Sequence, residues 1–164
     1  MMDYLTNVNL KIGECGNNTR LMMVPGHAGM INSMMPWRGS IQHKQLVLKH
    51  RYIVPIMAYM CENDSSGSVL SSDNGEVTFT YTLTQSDRER FVQGLDHTIQ
   101  IMCGAGAREI HTVQTGIEPF VFGKDEEIRC DNPRFVSWRE QVVQFGLPDH
   151  GVSVHYAPHP MGSW

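Results

Sequence analysis

Residues 76–84, EVTFTYTLT, and the QSDRER that follows them at 85–90 decide the fold class. In the first stretch apolar side chains alternate with threonines, as in a strand with one apolar and one polar face. Immediately afterwards, Ser86 and Glu89 have the spacing of a capping box, which begins a helix. Gly104 is a natural end for that helix. A strand therefore leads directly into a long helix, as in an α+β domain.

The rest of the chain alternates short strand and helix patterns in the same way. Further strands are predicted at 5–12, 20–24, 51–60, 109–114 and from 152 onward. Further helices are predicted at 28–36, at 40–49, and from Asp131 or Asn132, with Pro133 in the first position, to Gly146. Loops are predicted at 62–75 and 116–130, and the 77–83 strand is expected to pair with 51–60 across the first loop. We predict one α+β domain, with a mostly antiparallel sheet and helices packed on one face.

Composition excludes several classes of protein. The chain has 164 residues and a formal net charge of −4 spread without long runs, so nucleic acid is not an expected partner. The longest mostly apolar stretch, 53–60, is far shorter than the roughly 20 residues that span a bilayer. The N-terminus has no signal-peptide pattern. Four separate cysteines, Cys15, Cys61, Cys103 and Cys130, predict free thiols, which favours an intracellular location.

The most informative motif is His159-Pro160-Met161-Gly162-Ser163. It resembles the histidine motif of the glucose–methanol–choline (GMC) oxidoreductases, and most closely that of their long-chain alcohol oxidase branch. The branch pattern is His-x-Met-Gly-Ser-Cys-Arg-Met-Gly, and Trp164 stands where its cysteine is expected. The resemblance continues through other parts of the chain, at 25–30, 35–37, 44–54, 76–84 and 105–107.

The resemblance implies which part of the family's fold this chain forms, which cofactor it uses and which reaction it takes part in. Residues 1–164 would be an incomplete C-terminal substrate domain, with the N-terminal FAD-binding domain absent. The substrate would be a long-chain alcohol, oxidised to an aldehyde with oxygen as acceptor, and membrane association of the full-length protein is consistent with the family. In the family the histidine matching His159 is the general base, and Met161, Gly162 and Ser163 are candidate flavin-side contacts. No amino-acid side chain can accept a hydride, so this chemistry requires a cofactor, and the resemblance implies that the cofactor is FAD.

Other patterns favour less specific interpretations. The Gly104-Ala105-Gly106 sequence follows a helix and has Glu109 where a dinucleotide fingerprint would have a glycine, so it is predicted to be a helix cap. His155 and His159 would lie about 13 Å apart on a strand, too far to share a metal ion, so none is expected. The alternative function is a catalytically inactive truncated domain or isoform with at most a binding role.

Two weaker expectations concern the substrate. His27, between two glycines, is predicted to be a turn residue with at most a weak role in substrate contact. Apolar strand faces are candidates to line a pocket for an alkyl chain, namely Ile53, Ile56, Val77, Phe79 and Tyr81.

Overall fold

A computed structural model describes residues 10–12, 19–24, 26–59 and 64–148. In this part of the chain the α+β prediction is confirmed. The strands are β1 Leu10–Ile12, β2 Thr19–Met23, β3 Ile56–Tyr59, β4 Ser66–Ser71, β5 Val77–Thr82, β6 Glu109–Ile110 and β7 Phe120–Val121. The helices are α1 Ala28–Met34, α2 Ser40–Leu48, α3 Gln85–Gly104 and α4 Pro133–Phe145, with a short 3₁₀ helix at His50–Tyr52. All strand pairings among these residues are antiparallel and are divided among three small sheets.

The first sheet has the order β1-β2-β3. Its central strand pairs Leu21 with Ala58. The strand predicted at 51–60 is confirmed only in its second half, because His50–Tyr52 forms the 3₁₀ helix. Pro55 has no N–H to donate, but its carbonyl oxygen accepts from the Val24 N–H at 3.1 Å, so the pairing begins there. Of the strand predicted at 5–12, the described part, β1, is confirmed.

The second sheet is the β4–β5 hairpin, and it corrects two predictions. The segment 62–75 is not all loop, because β4 occupies its middle, and β5 pairs with β4 rather than with 51–60. The five-residue connection at 72–76 holds the strands together, with the Ser72 N–H donating to Glu76 O at 2.9 Å and Gly75 at a φ of +83°. Closing so short a loop costs less chain entropy than crossing to a distant strand. The serine-rich composition that suggested a loop belongs to a strand that is exposed throughout.

Helix α3 begins two residues earlier than predicted. Its cap is Thr84, whose hydroxyl accepts from the Asp87 N–H at 3.2 Å. The capping box predicted for Ser86 and Glu89 is therefore wrong, and Glu89 instead accepts from the Gln85 side chain at 2.9 Å. A cap must precede the first helical turn, and Ser86 already lies inside it.

The C-terminal end of α3 is as predicted. The helix ends at Gly104, Gly106 has a φ of +88°, and the Ala107 N–H donates back to Met102 O at 3.0 Å. This backward bond and the positive φ satisfy the last carbonyls of the helix, as glycine caps do. The Gly-x-Gly sequence therefore closes a helix.

The third sheet is the two-residue pairing of β6 with β7. The strand predicted at 109–114 is thus shorter than expected, and the loop predicted at 116–130 contains β7. Helix α4 agrees closely with its prediction: Asn132 accepts from the Arg134 N–H at 2.9 Å, Pro133 is its first residue, and Gly146, at a φ of +59°, ends it. The strand predicted from 152 lies outside the described residues.

The main apolar core lies between α3, α4 and the third sheet. Its buried members are Ile99, Cys103, Ile110, Ile117, Phe120, Phe122, Phe135, Trp138 and Val142. Phe120 contacts three aromatic neighbours, with ring centroids 4.8 to 5.5 Å apart. The buried Gln114 side chain ties this core to the end of α4 by donating to Val142 O at 3.1 Å and Gly146 O at 2.8 Å. No helix in the described segments has the length and apolar character needed to cross a membrane.

A buried carboxylate joins the hairpin to α3. Asp87 is fully buried and accepts hydrogen bonds from the backbone N–H of Ser65 at 3.0 Å, from the Ser65 hydroxyl and from the Asp64 N–H. It also forms an ion pair with Arg90, which is 13% exposed. A buried charge persists only when it is paired and hydrogen-bonded, so Asp87 fixes the start of β4 against the first turn of α3.

Candidate functional site

The catalytic and flavin-side residues predicted from the sequence lie outside the described residues. These are His159, Met161, Gly162 and Ser163. Their roles therefore stay predictions. His155, considered for metal binding together with His159, also lies outside. Within 10–12, 19–24, 26–59 and 64–148, no group of three or more His, Cys, Asp or Glu side chains is placed to hold a metal ion.

The apolar side chains proposed to line a substrate pocket are in two places. Val77, Phe79 and Tyr81 share one face of the β4–β5 hairpin and are between 51% and 76% exposed. Ile53 and Ile56 are half-buried beside the first sheet. Neither of the two cavities described below is lined by any of the five residues. His27 is a helix cap, because its Nδ1 accepts from the Gly29 N–H at 3.1 Å at the start of α1.

A polar cavity of about 180 Å³ lies between the α1–α2 connection, α2, β6 and the segment before β7. Its polar lining residues are Arg38, Gln42, His43, Gln45, Lys49, Glu109, His111 and Glu118. A second, shallower groove beside Phe120 and the start of α4 is lined by Pro133, Arg134 and Trp138 among others. We take the polar cavity as the candidate site in the described part of the chain, because charged groups from distant segments converge there.

Glu109 is hydrogen-bonded to two other residues that line this cavity. Its Oε2 accepts from Lys49 Nζ at 2.7 Å, and its Oε1 accepts from His111 Nε2 at 2.8 Å. Burial acts to raise the pKa of Glu109, but the hydrogen bonds and charges of Lys49 and His111 outweigh it, and the pKa is lowered from its usual value. The carboxylate stays ionised at neutral pH and holds the His111 ring in a fixed orientation.

His43 supplies a buried nitrogen that is not hydrogen-bonded to any of the described residues. The residue is 7% exposed, and its Nε2 donates to Asn32 Oδ1 at 2.8 Å. In a neutral imidazole one nitrogen donates and the other accepts, so Nδ1 is an acceptor. No hydrogen-bond partner for Nδ1 is found among the described residues. The Trp37 ring packs against the imidazole with centroids 5.0 Å apart, which fixes it further.

Arg38 closes the other end of the cavity. Its guanidinium donates to Glu118 Oε1 at 2.8 Å and to the carbonyl oxygens of Gln114 and Ile117. The side chain of Arg38 is 17% exposed, whereas that of Glu118 is 84% exposed. The arginine therefore acts mainly as an anchor that attaches the α1–α2 connection to the segment preceding β7.

The cavity can bind and orient a polar group, but its charges are already paired with each other. Glu109 with His111 could hold or pass a proton, and His43 Nδ1 could accept a hydrogen bond from a ligand. None of its side chains can accept a hydride. Four of its lining residues carry a formal charge, namely Arg38, Lys49, Glu109 and Glu118, so the cavity is not the purely apolar channel that an alkyl chain would fill.

Sequence reasoning did not identify this cavity. One signal was available, since Glu109 and His111 alternate along a predicted strand and so project to the same side. Lys49 and Arg38 come from segments 60 and more residues away, and no local pattern connects them with β6.

The comparisons with known proteins give one distant relative. Over 86 residues the chain is 29% identical to a curated long-chain-alcohol oxidase from Arabidopsis thaliana. The match covers 52% of this chain and 11% of that protein. No family model matches the chain, and no solved structure does. The chain thus has a distant and partial relationship to an alcohol oxidase, and with it to oxidoreductases.

Proposed function

We propose that this chain is a portion of a flavin-dependent GMC oxidoreductase that oxidises the CH–OH group of long-chain alcohols to aldehydes, with oxygen as acceptor. The observation that carries the proposal is the 86-residue similarity to a protein of that activity. The His159-Pro160-Met161-Gly162-Ser163 motif supports it independently, through its resemblance to the histidine motif of the same branch.

The proposed role of His159 follows from the proton balance of the reaction. Oxidising an alcohol removes a hydride from carbon and a proton from oxygen. An imidazole with an unperturbed pKa of about 6.5 can take that proton near neutral pH. The hydride would pass to FAD, with Met161, Gly162 and Ser163 as proposed flavin-side contacts.

The described residues do not themselves fit a flavin dinucleotide. The one Gly-x-Gly among them, at 104–106, caps the end of α3, whereas a dinucleotide turn must follow a strand and open a helix. The polar cavity around Glu109 is also too small and too fully paired to hold FAD. Under this proposal the cofactor is held mainly by a domain other than the described one.

The first experiment is size exclusion of the native protein from its source, followed at protein and flavin wavelengths. Flavin absorbance is expected to elute with a polypeptide several times larger than 18.6 kDa. That fraction should oxidise primary alcohols and consume oxygen, faster for long chains than for short ones. A colourless species near 18.6 kDa without turnover would overturn the proposal and leave a binding role.

The second experiment tests the base. His159→Ala in the active, flavin-containing protein is expected to lower kcat by roughly 10²–10⁴-fold, the usual contribution of a general base. His155→Ala is the matched control, since it removes the same side chain four residues earlier, and it should leave kcat nearly unchanged. Equal rates for the His159→Ala protein and the wild type would rule out the assignment.

A further inference from the structure

Two cysteines that are distant in the sequence meet beside the last turns of α3. Cys103 lies on α3 and is 2% exposed, whereas Cys130 lies just before the α4 cap and is exposed. The Cys130 thiol donates to Gln100 O, with 3.6 Å between sulfur and oxygen. Gln100 is three residues before Cys103, so both sulfurs lie on the same side of the helix. Cys130 is also close enough to Cys103 to contribute to a raised pKa of the Cys103 thiol.

We propose that Cys103 and Cys130 form a redox-active pair that hydrogen peroxide or a small organic peroxide converts to a disulfide. The inference is independent of the proposed function, since it rests on the position of the two sulfurs. Cys130 is exposed to solvent and Cys103 is buried, which separates their roles. The exposed Cys130 reacts with the oxidant, and the buried Cys103 completes the bond.

The thiol pair is oxidised to the disulfide in two steps. The Cys130 thiolate attacks peroxide, so that an S–O bond forms, the O–O bond breaks, and the leaving hydroxide takes a proton to become water. Cys130 is then a sulfenic acid, oxidised by two electrons. The Cys103 sulfur attacks the Cys130 sulfur, forming the S–S bond and breaking the S–O bond, and a second water leaves with the Cys103 proton. Two thiols and one hydrogen peroxide thus give one disulfide and two waters, and with an organic peroxide an alcohol replaces the first water.

The second step is expected to limit the rate. Burial, and to a smaller extent the neighbouring Cys130, raises the pKa of Cys103 to about 12, so this thiol is almost fully protonated at neutral pH. A thiolate is the attacking species, so cross-linking should accelerate as pH rises. The contribution of the Cys130 charge disappears once Cys130 has become a neutral sulfenic acid.

The cross-link would join the end of α3 to the residues before α4. It would enclose the 26 residues at 104–129, which include β6 and β7. Closing such a loop restricts the unfolded chain, so oxidation should raise Tm by roughly 5–10 °C.

The test uses the 164-residue chain with Cys15→Ser and Cys61→Ser, which leaves Cys103 and Cys130 as its two thiols. After treatment with hydrogen peroxide, the protein is digested with trypsin without reductant. The expected product is peptide 91–108 joined to peptide 130–134, with a mass two hydrogen atoms below their sum. A thiol reductant should separate the two peptides, and the rate of joining should rise with pH.

Cys130→Ser in the same background is the matched control, and it changes an exposed residue that does not fill the core. It should give no joined peptides, and its circular dichroism should match that of the parent. Sulfinic acid at Cys130 without joined peptides in the parent would overturn the proposal. So would disulfides formed only between two molecules, or cross-linking at a rate that does not increase with pH.

Discussion

At the residue scale, Glu109 shows how one side chain can hold distant segments together. It is half-buried, yet it accepts hydrogen bonds from Lys49 on one side and His111 on the other. The His111 contact follows from the alternation of a strand and could be predicted from the sequence. The Lys49 contact could not, because it depends on how the end of α2 packs against β6. Asp87 is similar: its ion pair with Arg90 follows from the three-residue spacing within α3, but only the packing shows that Ser65 contacts it.

The lowered pKa of Glu109 predicts a pH dependence of stability. A carboxyl whose pKa is lower in the folded state than in the unfolded state stabilises the fold above its unfolded pKa. That contribution is lost as pH falls through the folded value. Glu109→Gln should therefore lower the free energy of unfolding by about 0.5–1 kcal/mol at pH 7, and by less under acid conditions, since the pair is partly exposed. Urea unfolding at several pH values measures this difference.

Lys49→Met provides the control for the Glu109 prediction. In that background one of the two charges that lower the Glu109 pKa is gone, so the pH-dependent effect of Glu109→Gln should shrink. An effect of the same size with and without Lys49 would show that the ion pair does not stabilise the fold.

At the scale of the elements, helices were easier to predict than strands. α4 begins at Pro133 after Asn132 and ends before Gly146, because these residue types act within one turn of the helix. The strand pairings were harder, since a pairing depends on which segments meet. The alternation in β5 identified the strand, but the hydroxyl-rich β4 has the composition of a loop, so its role as the partner was missed. The capping-box spacing selected Ser86 with Glu89, whereas the observed cap is Thr84, two residues earlier.

The choice between Thr84 and Ser86 can be tested directly. Thr84→Ala removes the hydroxyl that accepts from the Asp87 N–H and should cost about 1 kcal/mol of the free energy of unfolding. Ser86→Ala is the matched control, because it removes an exposed hydroxyl that lies within the helix. We expect it to change stability by less than about 0.5 kcal/mol. Urea denaturation of the two variants compares the losses, and a larger loss for Ser86→Ala would contradict the observed cap.

At the scale of the whole molecule, the described residues are unevenly packed. Every buried member of the main core lies between Ile99 and Val142, on α3, α4 and the segments that join them. The β4–β5 hairpin, by contrast, is exposed along both strands. An exposed hairpin is only marginally stable by itself, so it depends on Asp87 and the start of α3 for its position. The sequence predicted the fold class, but it did not predict this unequal distribution of the core.

Hydrogen exchange should reveal the same division. Amides in α3 and α4 open only when the aromatic core is disrupted, so they should be the most protected among the described residues. Within the described part of the chain no apolar layer covers β4 and β5, so their amides should exchange through local opening, well below the free energy of global unfolding. Phe135→Ala removes a fully buried ring at a cost of about 3–5 kcal/mol. It should reduce protection in α3 and α4 far more than in the hairpin, whose opening does not require the core to separate. Equal protection in the hairpin and in α3 of the wild-type chain would mean that the two open together, and that the Asp87 contacts make them one cooperative unit.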